Sequence, residues 1–319
     1  VEALFALIAR LTARSVAVIY ITHRLDEVYR IGNRVTVMRD GRHISTQPLE
    51  GTTVAELVCL MANRDVGHHF PKARAARGEE LLRLEHVGRR GTLHDINLTL
   101  HAGEVVGIGG LLGAGRSELA RVIAGADGVD SGRLLIRGHA ARLRTPADAI
   151  RQGIGLLPED RKADGLVAGL TVARNIGLPH GRQLAPFGLI PRRAEAALAA
   201  PIISDLRVKA TVTQPVRLLS GGNQQKVVLG KWLAGDARIF VFDEPTRGVD
   251  VGAKIEIYNL MNRLTADGAG IIMISSELPE LLGMSDRILV MHRGRIQAEF
   301  DADGATQERL LSAALGLAG

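Results

Sequence analysis

Residues 110–117 read Gly110-Leu111-Leu112-Gly113-Ala114-Gly115-Arg116-Ser117. The apolar run Glu104 to Ile108 before them reads as a buried strand, and the stretch after them as a helix. The octapeptide fits the phosphate-binding pattern G-x-x-x-x-G-K-[ST], with arginine in the lysine position. Its glycines let backbone N–H groups turn inward around phosphate oxygens, and the helix start adds positive partial charge. A cation after the last glycine can reach the β- and γ-phosphates, and the Ser117 hydroxyl can ligate magnesium. Arg116 keeps the charge, but its planar fork differs from an ammonium in reach and geometry. Phosphate binding is therefore expected to survive and transition-state placement to suffer. A glycine-rich turn with no ligand is the competing reading, and two further motifs argue against it.

The first is Arg238-Ile239-Phe240-Val241-Phe242-Asp243-Glu244-Pro245, an apolar strand that ends in two carboxylates. Beside a phosphate loop, Asp243 would hold Mg²⁺ and Glu244 would polarise an attacking water as general base. Adjacent residues of a strand point to opposite faces, so the two carboxylates are expected to divide these roles. The second is Leu219-Ser220-Gly221-Gly222-Asn223-Gln224-Gln225-Lys226, at the start of an amphipathic helix. Alone it reads as a serine N-cap. In a domain that already has a phosphate cradle, it reads as an anion site capping a nucleotide held by a partner domain.

Further outward, the chain repeats itself. Val1 to Arg42 aligns without a gap on Lys254 to Arg295, and about a third of the pairs are identical. Leu7, Arg10, Leu11, Thr12 and Ala13 meet Leu260, Arg263, Leu264, Thr265 and Ala266; Leu25, Glu27 and Arg34 meet Leu278, Glu280 and Arg287. Both copies read as helix, buried strand (Val16 to Ile21, Gly270 to Ile274), short helix, strand, turn, strand. The expectation is the tail of one domain over residues 1–62, with its front missing, a polar linker over 63–80, and a complete second copy over 81–319. Strands are expected at Leu81 to Val87 and Leu93 to Leu100. An irregular, proline-punctuated stretch over about 159–219 reads as a helical insertion on an α/β sheet domain.

Composition fits this reading. The 319 residues are 46% hydrophobic and 23% charged, which excludes a mostly disordered chain. No apolar run approaches the roughly 18 residues of a membrane-spanning helix, so any membrane role would be peripheral. The lone cysteine, Cys59, rules out an internal disulfide and suits a reducing compartment. The net charge of +6 comes from scattered arginines rather than basic runs, so no nucleic-acid partner is expected.

The three motifs, in this order and with this insertion, resemble the ATP-binding subunits of ABC transporters. Leu219 to Lys226, Asp243 to Lys254, and Gly155 to Lys162 followed by Asp164-Gly165-Leu166-Val167 are similar to the second half of the double-domain ATPases of bacterial monosaccharide importers. The resemblance implies an α/β P-loop NTPase fold, an ABC-type nucleotide-binding domain with a helical insertion and a small antiparallel β region. It implies ATP and Mg²⁺, and an ATPase that energises carbohydrate import. It implies membrane permease subunits as partners, a periplasmic sugar-binding protein indirectly, and a place on the cytoplasmic face of the inner membrane. ATP in this family is sandwiched between two nucleotide-binding domains or copies. Gly110, Gly113, Ala114, Gly115, Arg116 and Ser117 would line one site with Asp243 and Glu244. Glu159 stands where most ABC domains have the glutamine of the permease-coupling loop. Ser220, Gly221 and Gly222 would complete the other site, and Asp250 would lie in the loop crossing the dimer interface. His23 would be the switch histidine of the first half.

The repeat sets His23 against Ser276, too short to donate to a γ-phosphate from the same place. Two unequal sites are therefore expected. The second-half site would bind nucleotide but turn it over slowly or not at all, and the competent one would use His23 with Ser220 to Gly222. Two other readings stand beside this one: a soluble two-domain ABC ATPase acting on ribosomes or DNA, and a non-catalytic nucleotide-binding regulatory module. The residues do not specify the sugar, and no adenine-stacking aromatic is evident between Leu81 and Leu100.

Overall fold

The computed structural model describes residues 2–22, 25–39, 42–53, 56–57, 60, 70–185 and 188–317. The chain divides into two units, 1–69 with 250–256, and 70–249 with 257–319.

In the first unit, helices α1 (Glu2–Thr12) and α2 (Leu25–Ile31) precede the antiparallel pair β1 (Arg34–Arg39) and β2 (Arg42–Pro48). The second unit opens with β3 (Glu80–Arg89), β4 (Leu93–His101) and β5 (Val105–Gly110), then α3 (Arg116–Ile123), β6 (Ser131–Ile136), β7 (His139–Ala141), α4 (Pro146–Arg151) and β8 (Ile154–Leu157). A helical stretch follows: α5 (Val172–Gly177), α6 (Gly181–Leu184), α7 (Arg192–Asp205) and α8 (Gly221–Leu233). The chain ends with β9 (Ile239–Asp243), α9 (Val251–Ala266), β10 (Gly270–Ile274), α10 (Leu278–Met284), β11 (Arg287–His292), β12 (Arg295–Asp301) and α11 (Gln307–Ala314).

Two sheets result in the second unit. One has six strands in the order β12-β11-β5-β10-β9-β8, all parallel except β12. The other is the antiparallel β4-β3-β6-β7. Strands β9 and β10 are buried at every position, as expected where helices cover both faces of a parallel sheet. Apolar side chains of β3, β4, β5, α3, β9, β10 and β11 form one continuous core.

The repeat is real in three dimensions, with one exception. Helix α2 and strands β1 and β2 have the same bounds as α10, β11 and β12 shifted by 253 positions. The register irregularity between Val37 and Met38 recurs between Val290 and Met291. The expected strand Val16 to Ile21 is absent: its residues are in no strand, and Ile19 and Ile21 are each 92% exposed. Their counterparts Ile272 and Ile274 are buried because β10 lies between β5 and β9. Strand neighbours of that kind are lacking among the described residues of the first unit.

The expected linker over 63–80 is also redrawn. Residues 63–69 lie outside the described residues, and 70–79 are fastened to the second unit. Phe70 packs its ring 5.7 Å from that of Tyr258, and Lys72 pairs with Asp286 at 2.8 Å. The Gly78 N–H donates to the Ala102 carbonyl at 2.8 Å. Polar composition alone does not reveal such anchors.

Candidate functional site

Strand register sets the site. Ile274 of β10 pairs with Ile108 of β5 on one side and with Asp243 of β9 on the other. The carboxyl ends of three parallel strands are therefore level, where open α/β sheets bind ligands. What leaves those ends is the glycine loop after β5, Glu244 after β9, and Ser275-Ser276 after β10.

The glycine loop is held by its backbone. A side chain at Gly110 is excluded, because its Cβ would stand 2.5 Å from the Met291 carbonyl oxygen. Gly115 closes the loop at φ 101°, a left-handed conformation that glycine adopts without steric cost, and α3 begins directly after it. The Gly294 N–H, in the β11–β12 turn, donates to the Ala114 carbonyl at 2.9 Å. The loop is thus braced from outside, and the first N–H groups of α3 follow directly on it.

Asp243 and Glu244 are both buried, and their surroundings differ. Asp243, the last residue of β9, has the Ser117 hydroxyl beside it, and its Oδ1 is buried without a partner. Glu244 leaves the strand at φ 52°, a strained conformation for a non-glycine residue. Its N–H donates to the Ile274 carbonyl at 2.9 Å. Its Oε2 accepts the Ser276 hydroxyl at 3.0 Å, and its Oε1 lies 3.5 Å from Arg116 Nη1. The same Nη1 donates to the Ser275 carbonyl at 2.9 Å. Burial pushes both carboxyl groups above the usual range. For Asp243 the Ser117 hydroxyl and Arg116 pull the other way, and for Glu244 the Ser276 hydroxyl and Arg116 do.

This donor set fits a magnesium ion. Ser117 and Asp243 are already together, and the orphaned Asp243 oxygen is what a cation would satisfy. No group of three His, Cys, Asp or Glu side chains forms a metal cage among the described residues. Mg²⁺ binds through one or two carboxylates plus substrate phosphates and water.

Other expected residues lie apart from this cluster. Ser220 precedes α8, but its hydroxyl caps no helix N–H; its Oγ instead accepts the Asn223 amide at 2.9 Å. Gly221 lies against the guanidinium of Arg161, and Gln225 Nε2 donates to the Pro245 carbonyl at 2.9 Å. Glu159, just beyond β8, is ion-paired with Arg247. Asp250 Oδ1 accepts the Ala253 N–H at 2.9 Å, at the start of α9. His23 lies outside the described residues.

One residue of consequence was not singled out from the sequence as a site residue. Glu280 of α10 is 1% exposed and accepts hydroxyls from Thr246 at 2.9 Å and from Ser275, with Tyr258 beside it. It ties the loop after Glu244 to the loop after β10. The repeat carried the signal: Glu27, its aligned partner, accepts the Thr22 hydroxyl at 2.8 Å, and Thr22 aligns with Ser275. A cavity of about 860 Å³, whose lining includes Arg137, Arg151, His180, Arg182 and Lys231, shares no residue with this cluster.

Residues 93–247 match the ABC transporter family. The chain is 47% identical over 317 residues to the ribose import ATP-binding protein RbsA of Geobacillus kaustophilus, covering 99% of this chain and 64% of that protein. It is 48% identical to ribose import ATP-binding protein RbsA 1 of Rubrobacter xylanophilus, covering 98% of this chain and 63% of that one. The chain thus spans a little under two thirds of the length of these curated relatives. Among solved structures, it is similar to a nucleotide-free ATP-binding cassette from an ABC transporter, at TM-score 0.61 and 26% identity over 73% of this chain and 94% of that one. It is also similar to the ADP conformation of another such cassette, at TM-score 0.59 and 27% identity over 74% and 95%.

Proposed function

We propose that the chain is an ATP-binding protein of the ABC transporter family, which its residues 93–247 match, and that it binds MgATP at the glycine loop and serves a carbohydrate importer. One observation carries the reading: Ser117 and a half-satisfied Asp243 meet at the head of a phosphate loop, level with Glu244. The α3 N–H groups and Arg116 would receive the phosphates, and Ser117 with Asp243 would hold the ion. When bound, Mg²⁺ would neutralise charge on the phosphate oxygens. Glu244 is the candidate base for water.

Turnover at this site is proposed to be weak. Before nucleotide arrives both Glu244 oxygens are engaged, one by Ser276 and one by Arg116, the two residues that depart from the family pattern, and the Ser276 bond remains once Arg116 turns to phosphate. A base so occupied is poorly disposed to take a proton from water. Ser220, Gly221 and Gly222 would serve a second site across a domain interface, and His23 would belong to that site. Sugar import is proposed from the relatives' names, 42–48% identical over nearly the whole chain. A permease partner and a peripheral place at the membrane are proposed with it, on the resemblance to sugar-importer ATPases. No helix among the described residues is long and apolar enough to cross a membrane. The engaged Glu244 also favours a second reading, a nucleotide-binding module without turnover.

Phosphate release from MgATP, with Glu244→Gln as control, separates these readings. Weak release that falls further in Glu244→Gln is expected. No release above the Glu244→Gln background would favour the binding module. Robust release abolished by Glu244→Gln would overturn the weak-site reading.

A further inference from the structure

We propose that Arg116 is the nucleotide sensor of this site, passing the arrival of phosphate to residues 275–281 by exchanging its protein bonds for phosphate oxygens. The inference rests on the reading that the glycine loop binds nucleotide.

Arg116 opens α3, yet its guanidinium reaches out of the loop. Nη1 donates to the Ser275 carbonyl at 2.9 Å and lies 3.5 Å from Glu244 Oε1. The Arg116 and Glu244 side chains are 12% and 10% exposed, so both contacts are largely shielded from water. Ser275 is the joint. Its carbonyl takes the guanidinium, while its hydroxyl is bonded to buried Glu280 and accepts the Glu277 N–H at 3.0 Å. The Glu280 and Leu281 N–H groups donate to the Glu277 carbonyl at 3.0 and 3.2 Å. Arg116 is therefore bonded into a short chain of contacts that ends in α10.

Phosphate oxygens are stronger acceptors for a guanidinium than a neutral carbonyl. A nucleotide in the loop would draw Arg116 inward. The Ser275 carbonyl, in a residue 1% exposed, would then lose a donor with little water to replace it. The segment has to readjust, and the Glu277, Glu280 and Leu281 amides report it. Lysine in this place would present one compact ammonium with a shorter reach, and methionine would present no donor. Ser276 would still hold Glu244 Oε2 after Arg116 leaves, so occupancy is signalled whether or not the site turns nucleotide over.

Hydrogen exchange followed by mass spectrometry tests this on the full chain, with MgADP or Mg-AMPPNP at saturation as judged by fluorescent-nucleotide titration. In the wild type, nucleotide should speed exchange at 277–281 by about tenfold, the loss of roughly one hydrogen bond. In Arg116→Lys and Arg116→Met, each saturated at its own affinity, exchange there should be the same with and without nucleotide. Unchanged exchange across 257–266 controls for folding. Binding without any change at 277–281 in the wild type, or the same change in both variants, would overturn the proposal and leave nucleotide binding standing. A wild type that binds neither nucleotide would overturn the functional reading and the proposal with it.

Discussion

Lys231 shows how far one residue's setting can move its chemistry. It lies in α8, 7% exposed, and its ammonium is bonded to the Gly165 carbonyl. Burial lowers its pKa from 10.5 to about 8. Between those values the unfolded chain holds the proton and the folded chain has released it, so stability rises with pH across that window. Below about pH 8 the penalty of a buried charge is complete. Lys231→Met should therefore be more stable than the wild type at pH 7, by up to about 3 kcal/mol less the lost hydrogen bond. The advantage should fade by pH 10.5. Urea denaturation at pH 7 and pH 10 measures both. Glu244 belongs to the same scale. Its identity was legible from the strand that ends in Asp243-Glu244, but its engagement by Arg116 and Ser276 was not. Those partners lie 128 and 32 positions away, and only strand register brings them level.

Elements expose the clearest split between pattern and environment. Ile19 aligns with Ile272 and Ile21 with Ile274, identical residues in two copies of one motif. Ile272 and Ile274 are buried in a six-stranded sheet; Ile19 and Ile21 are 92% exposed and in no strand. The apolar run promises a buried strand in both places, and neighbouring strands exist at only one. The double variant Ile19→Lys, Ile21→Lys should lower dye binding to exposed apolar surface and reduce aggregation in light scattering. The main unfolding transition should stay within about 0.5 kcal/mol, as for other surface substitutions. A large loss of stability would mean that the two isoleucines are packed in solution.

Across the whole molecule, every residue of the glycine-loop cluster lies in one unit. Arg116, Ser117, Asp243, Glu244, Ser275, Ser276 and Glu280 all belong to the unit that begins at Phe70. A unit with its own core can fold alone. Residues 70–319 expressed by themselves should therefore bind nucleotide within about twofold of the full chain, as read by fluorescent-nucleotide titration. A loss greater than tenfold would show that the first unit contributes to the site.

Local chemistry was enough to find the phosphate loop, the acidic strand end and the serine-glycine loop. Each is a contiguous run whose glycines, hydroxyls and carboxylates carry their meaning in sequence. The repeat, too, was written in the chain, down to the strand pair β1 and β2. Tertiary structure decided what those runs could not state. It buried one copy of a strand and left the other bare, and laid residues 70–79 along the second unit. It also gathered Arg116, Ser276 and Glu280 around Glu244. Burial and pairing depend on partners distant in the chain, and a sequence fixes such partners only through the fold that brings them together.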